Sequence, residues 1–316
     1  MWTTITQIAP YAIVFTIPLL ITALGGLFSE RSGVVNIGLE GLMIMGAFAG
    51  AFTIFKLQAL YPNKPIVMWV GLLVAMLAGA IFSLLHAFAS INLRADQVIS
   101  GTAINMIAGA ITIFLARNMT GSGNIRISSF APFNMPGFSD IPIIGPLIFT
   151  KTYLTTWLVL FIVGLTSFVL YKTPFGLRLR ACGEHPHAAE AAGVNVKRMR
   201  YVGVMISGAF AGLGGAIIIV TYAGEFTGSV AGLGFLALAS LIFGQWRPLG
   251  VLGATLFFGI ASTVANVSQV IPSLAVFPPI ILKVFPYVVT LIALIVFSKS
   301  SRAPKAVGEP YDSGKR

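Results

Sequence analysis

Polar side chains embedded in apolar stretches carry the most chemical information in this sequence, because an unpartnered charge or amide in hydrocarbon is costly and is kept for a reason. Asn36 and Glu40 are four residues apart, a spacing that puts both on one face of a helix, with Glu40 about 9 Å into its apolar run at roughly 1.5 Å per residue. Ser100 and Asn105 lie in another run, where Gly101, Asn105 and Gly109 recur every fourth residue. Such faces can offer hydrogen bonds to a sugar hydroxyl or to the edge of a base, and a neutral ligand needs no basic clamp. The same groups can instead bond between helices and hold a bundle together. Glu225 falls near the end of a further run, where it can face a path or an external partner. Arg94 and Asp96 share a short connection and are expected to pair with each other or with water, and Lys283 to extend its ammonium to an interface.

No constellation for catalysis accompanies these groups. There is no G-x-x-x-x-G-K-[ST] loop, so the chain does not cradle ATP by itself. His86, His185 and His187 lack zinc-site partners, and no nucleophile-elbow sequence frames a serine. The only cysteine, Cys182, cannot form an intrachain disulfide. The expectation is a non-catalytic chain holding no metal or cofactor of its own.

The elements that must position these residues follow from composition. Of 316 residues, 57% are hydrophobic and 9% charged, against about 25% charged in ordinary soluble domains. Mean hydropathy is +0.92. So few charges cannot cover a water-facing surface, which excludes a soluble enzyme and a disordered scaffold. Apolar runs occur at about 10–27, 34–55, 66–91, 98–116, 152–171, 201–222, 230–245, 249–270 and 280–298. Because every backbone group in lipid must be satisfied internally, these runs predict an all-α polytopic membrane protein. With 34 Gly and 17 Pro interrupting stretches such as Gly224 to Gly244 and Ile271 to Pro286, broken or re-entrant helices are expected, or else close helix packing. The predicted organisation is one transmembrane domain over 1–298 and a basic tail over 299–316.

Charge sets the expected topology. The formal net charge is +11, with 20 Lys plus Arg. Lys172, Arg178, Arg180, Lys197, Arg198 and Arg200 form one block; Lys299, Arg302, Lys305, Lys315 and Arg316 form another. Blocks of this kind between apolar runs mark cytoplasmic loops rather than a nucleic-acid surface. Four runs separate them, an even number, so the loop 173–200 and the C-terminus fall on the cytoplasmic side. The N-terminus and the stretch 117–151, with Pro132, Pro136, Pro142 and Pro146, then face outward. That loop can cover the pathway, meet an external partner, or simply connect. No Lys or Arg precedes Arg31, so the first run reads as a retained span, not a cleaved signal.

The stretch from Phe175 to Arg200 contains a short helix in its sequence. Pro186 suits a first helical position, Ala188 to Ala192 are helix formers, and Gly193 suits the stop. Two isolated turns are unstable in water, so something must pack on them: a cytoplasmic motor, or the chain itself.

The segment Gly176-x-Arg-x-Arg-Ala-x-Gly-Glu-x-Pro-x-Ala-Ala-x-x-x-Gly-Val-x-Val, followed by Ser207-Gly-Ala-Phe-Ala-Gly-Leu-Gly-Gly-Ala216, resembles the permease subunits of ABC importers for branched-chain amino acids and simple sugars. Glu30-Arg-Ser-Gly-Val-Val-Asn-Ile-Gly-Leu-Glu-Gly-Leu42 and Ala95-Asp-Gln-Val-Ile-Ser-Gly-Thr-Ala-Ile-Asn105 resemble the nucleoside branch in particular. The likeness runs over most of 10–298; His185 stands where the family usually has Asn. The resemblance implies about ten helices, some broken, arranged as in vitamin B12-type importers, in the cell membrane of a prokaryote. It implies a second permease chain, an external substrate-binding lipoprotein, and a cytoplasmic ATPase that binds ATP and Mg. The ATPase would dock on Gly176, Arg178, Arg180, Ala181, Gly183, Glu184, His185, Pro186, Ala188, Ala189 and Gly193. Transport of simple sugars or branched-chain amino acids is the alternative within that class, and an ion-driven carrier using Glu40 or Glu225 the alternative outside it.

Overall fold

A computed structural model describes residues 2–62, 64–267, 280, 281, 284, 285, 288 and 302–312. The chain forms ten α-helices among these residues. They are α1 (Trp2–Arg31), α2 (Leu39–Leu60), α3 (Ile66–Ala87), α4 (Gln97–Thr120), α5 (Leu154–Lys172), α6 (Pro174–Glu184), α7 (Pro186–Ala191), α8 (Val196–Ile218), α9 (Leu233–Phe243) and α10 (Pro248–Val267). Single π-helical turns continue α3 over Phe88–Asn92 and α8 over Ile219–Ala223, and a third spans Gly145–Phe149. Seven of the described helices are long and apolar enough to cross a membrane. This is an all-α polytopic membrane protein. The expected run at 280–298, with Lys283, lies outside the described residues.

A helix that is apolar all round has no water-facing side and belongs in the middle of a bundle. That is the position of α1, where Leu19, Leu20, Ile21, Ala23 and Leu24 are all buried. It packs along α8 and α10, while α2 and α3 close around α8. The outer helices keep one face bare: Met106 on α4 is 77% exposed and Phe161 on α5 is 68% exposed, an apolar surface suited to lipid. The centre is tight because small residues let backbones meet. A Cβ on Gly212 of α8 would lie 2.3 Å from the Ala75 carbonyl oxygen of α3. A Cβ on Gly46 of α2 would lie 2.2 Å from the Gly212 Cα.

The two ends of the bundle differ. At one, β1 (Ile125–Arg126) pairs antiparallel with β2 (Glu225–Phe226), and Gln58 bonds both the N–H and the carbonyl of Ser128, at 3.0 and 2.9 Å. The stretch 117–151 is therefore fastened to the bundle; its first residues continue α4, and Gly121 ends that helix in the left-handed region. We call this the hairpin end. At the other, basic end lie α6, α7 and the segment 302–312.

Two expectations are corrected here. Asn36 and Glu40 do not share a helical face: α2 begins only at Leu39, so Asn36 sits in the irregular connection before it and Glu40 in the first helical turn. Nor do Arg94 and Asp96 pair. Asp96 caps α4, its carboxylate accepting from the N–H groups of Val98 at 2.8 Å and Ile99 at 3.0 Å, which satisfies two of the helix's otherwise orphaned donors. Arg94 reaches Asp312 instead, with both contacts at 2.8 Å.

Candidate functional site

The residues of the turn between α1 and α2 gather most of the polar groups singled out from the sequence. Asn36 is fully buried and its Nδ2 donates to Ser207 Oγ on α8 at 2.9 Å. Its Oδ1 has no hydrogen-bond partner among the described residues. Asn105 on α4 accepts from the Gly41 N–H at 2.7 Å and donates to the Ile37 carbonyl at 3.0 Å. Ser100 lies 2.9 Å from Nδ1 of His86, whose Nε2 lies 2.9 Å from the Val35 carbonyl. A carbonyl only accepts, so Nε2 carries the proton in the neutral ring and Ser100 donates to Nδ1.

Glu40 joins this turn to α9. Its carboxylate accepts from the N–H groups of Gly232 at 2.9 Å and Gly234 at 2.7 Å, at the start of that helix. The negative charge also sits at the positive end of the helix dipole, a second favourable term. The approach needs glycine: a Cβ on Gly234 would lie 2.4 Å from the Glu40 nitrogen. Glu225 stands apart, in β2 at the hairpin end, paired with Arg126 at 3.2 Å.

The same turn anchors α9 at its other end. Arg31 donates from Nε and Nη2 to the Trp246 carbonyl at 3.2 and 2.7 Å, and the Trp246 indole N–H donates to the Glu30 carboxylate. Gln245 and Trp246, which follow α9, both take left-handed backbone angles, φ 53° and 51°, uncommon for residues with side chains. Arg31 Nη1 also lies 3.6 Å from Glu184 Oε1 at the end of α6. Helix α9 is thus gripped at both ends by residues on either side of one turn, and that turn touches α6.

The segment expected to dock a motor divides by exposure. Thr173 caps α6, its hydroxyl accepting from the Gly176 N–H at 3.2 Å, and Pro174 takes the first helical position, where a missing N–H costs nothing. Gly176, Leu179, Cys182 and Gly183 face inward; a Cβ on Gly183 would lie 2.4 Å from the Arg31 carbonyl oxygen. Burial pushes the Cys182 thiol up to about 11, although the nearby Arg200 pulls the other way. Arg180 is half-buried, donating to the Leu170 carbonyl at 3.0 Å with its guanidinium over the Tyr171 ring, and Ala181 is half-buried beside it. Pro186 starts α7 and is buried with Ala189, while Arg178, Glu184, His185, Ala188 and Gly193 are exposed. Gly193 follows α7 with φ +80°, the left-handed stop that glycine makes at low cost.

The segment 302–312 closes over this end. Its Ala306 N–H donates to the Gly183 carbonyl at 2.9 Å and its Gly308 N–H to the Gly33 carbonyl at 3.2 Å. Arg200, 1% exposed, donates to the Glu309 carbonyl at 3.0 Å and stacks on Tyr311.

A cavity of about 480 Å³ opens where α9 begins, walled by α1, the π-turn after α8, residues 229–236 and α10. Asn36, Glu40, Ser100, Asn105 and Glu225 do not line it. Its polar groups, on Tyr222, Ser229, Ser262 and Asn266, were not legible as a set, because they come from three separate stretches of chain. The glycine-interrupted stretch from Gly224 to Gly244 was the available signal. Glu30, Trp246 and Ser207 were likewise missed as members of the network around the α1–α2 turn.

Comparison with known proteins identifies the chain's relatives. It is 49% identical over 313 residues to the guanosine ABC transporter permease protein NupQ of Bacillus subtilis (strain 168), covering 98% of this chain and 97% of that one. It is 42% identical over 305 residues to the nucleoside ABC transporter permease protein NupC of Lactococcus lactis subsp. cremoris (strain MG1363), covering 96% of each. A chain of an ABC transporter solved in an inward-facing conformation shares the fold, with TM-score 0.51, 16% identity, and coverage of 92% of this chain and 85% of that one. The expected vitamin B12-type importer architecture agrees with that likeness. Residues 8–294 match the family of permease components of the branched-chain amino acid transport system, and the protein belongs to that family as the permease component of an ABC importer.

Proposed function

We propose that this permease forms the membrane path for nucleosides and that a separate cytoplasmic ATPase, binding ATP and Mg, drives it through α6 and α7. The observation that carries the substrate class is the near full-length identity to two permeases named for guanosine and for nucleosides. A second permease chain completes the path. In support, the same Bacillus strain has a related guanosine permease protein, NupP, 28% identical to this chain over 268 residues. An external substrate-binding lipoprotein delivers the nucleoside at the hairpin end, and the basic end, with the C-terminus, faces the cytoplasm. The excess of Lys and Arg at α6–α8 supports that orientation.

The division of α6–α7 into a buried seam and an exposed set supports the docking role. Two turns as short as α7 are not stable alone, and its buried Pro186 and Ala189 fix it on the bundle while the remaining surface is left for a partner. The contact of Arg31 with both Glu184 and the Trp246 carbonyl supplies a route from that surface to α9.

The test is nucleoside-stimulated ATP hydrolysis by the reconstituted complex, with this chain present and omitted. Stimulation by guanosine that disappears without the chain is the expected result. Stimulation by glucose or leucine alone would keep the permease and discard the substrate. Uptake by this chain alone, abolished by a protonophore, would overturn the ATP-driven reading.

A further inference from the structure

Helix α9 has 11 residues, about 16 Å of length, roughly half of a hydrocarbon core of about 30 Å. Its C-terminal end is held at the basic end by Arg31 through Trp246. The missing half therefore lies toward the hairpin end, and irregular backbone takes its place. Non-helical backbone at membrane depth is tolerated where it is buried in protein or lines a cavity, and Ser229, Val230 and Ala231 wall the 480 Å³ cavity. Its depth follows from two helices. Phe15 is 16 residues before Arg31 on α1, about 24 Å away, and Ser262 is 14 residues after Pro248 on α10, about 21 Å away.

The chemistry of the wall is specific. Phe15 and Tyr222 form a tilted aromatic pair, ring centroids 4.5 Å apart with 34° between planes. Tyr222 belongs to the π-turn after α8, a local irregularity often found at functional positions. Ser262 and Asn266 are four apart on α10 and present a hydroxyl and an amide on the same face. Ser229 adds another hydroxyl. Among the described residues, no Asp, Glu, Lys or Arg lines the cavity, which suits an uncharged ligand. Its volume is within the roughly 300–1,000 Å³ of small-molecule sites.

We infer that this cavity is a binding site for a nucleoside in the permease itself, at the hairpin end of the path. The base packs on the Phe15–Tyr222 pair, and the hydroxyls and amide of Ser229, Ser262 and Asn266 bond the ribose and the base edge. This rests on the nucleoside reading above. An amino acid would leave two charges without a partner here, and a free sugar would leave the aromatic pair with no base to stack.

The test uses an azido-guanosine photoprobe on the complete reconstituted complex, with the label mapped by peptide sequencing. Label on residues 218–236 or 262–266, removed by excess guanosine and not by glucose or leucine, is the expected result. Tyr222→Leu and Asn266→Ala should each lower that labelling about tenfold, the scale of one lost stacking or hydrogen-bonding contact. Where either fails to co-purify with the ATPase, Ser262→Ala gives the same comparison. Label confined elsewhere, or no protected label, would overturn the site while leaving chain-dependent guanosine uptake intact. Absence of that uptake in the unsubstituted complex would instead overturn the nucleoside reading itself.

Discussion

A carboxylate at the first turn of α2 does the work of a helix cap for α9. Replacing Glu40 with Gln keeps the shape but turns an amide NH2 toward one of two backbone N–H donors, at Gly232 or Gly234. The expected loss is about 1–3 kcal/mol, read as a lower melting temperature of the purified protein. An unchanged melting temperature would mean that the cap is energetically idle. Cys182 gives a second prediction. With its thiol raised from 9.0 to about 11 in the folded state, the folded protein holds that proton more tightly than the unfolded chain. The contribution is complete below pH 9 and is lost as pH rises toward 11, so melting temperature should fall across that window more than in Cys182→Ser. At pH 7 the buried, protonated thiol should resist maleimide in the folded protein and react after denaturation. Asn36, Glu40 and Asn105 were visible in the sequence because polar groups stand out in apolar runs. Their partners were not visible, since a bond such as that from Asn36 to Ser207 spans 171 positions and no local pattern encodes it.

At the scale of elements, the core of the bundle is set by where backbones touch. Gly212→Leu should force α8 away from α3, with a cost of about 1–3 kcal/mol or more and reduced yield of folded protein. Gly109→Ala is the matched control, because a Cβ there meets nothing within 4 Å. It should be neutral or stabilising by up to about 1 kcal/mol, and both are checked by melting in detergent. Glu184→Lys puts a second cation where the Arg31 guanidinium now has a carboxylate at 3.6 Å. The expected result is ATP hydrolysis that persists while uptake per ATP falls several-fold, measured side by side in proteoliposomes. Composition alone made the long helices legible, and Pro186 with Gly193 bounded α7 correctly. Helix α6 was not foreseen, because the stretch 173–200 reads as a hydrophilic loop and the inward face of α6, with Gly176 and Gly183, is defined by contacts with α5 and the end of α1. The short span of α9 fits the broken helix expected over the glycine-interrupted stretch Gly224 to Gly244, although its bounds were not legible.

For the whole molecule, orientation is the property most open to measurement. Because Cys182→Ser removes the one native thiol, single cysteines introduced in that background report cleanly. His185→Cys, exposed at the basic end, should label with a membrane-impermeant maleimide only after cells are permeabilised. Asn124→Cys, exposed at the hairpin end, should label in intact cells. The reverse pattern would invert the proposed topology and with it the side on which a motor could dock.

The segment 302–312 has a consequence in time. Ribosomes make a chain from its N-terminus, so Gly33, Arg94, Gly183 and Arg200 all exist, and are threaded into place, before Ala306, Glu309 and Asp312 are synthesised to meet them. Until then Arg200 lacks the carbonyl it donates to, and the surface of α6 beneath Ala306 is bare. The basic end therefore closes only after the residues it covers are already made. A helical bundle already in the membrane acquires this face only when residues 302–312 fold back across residues made well before them, as far back as Gly33.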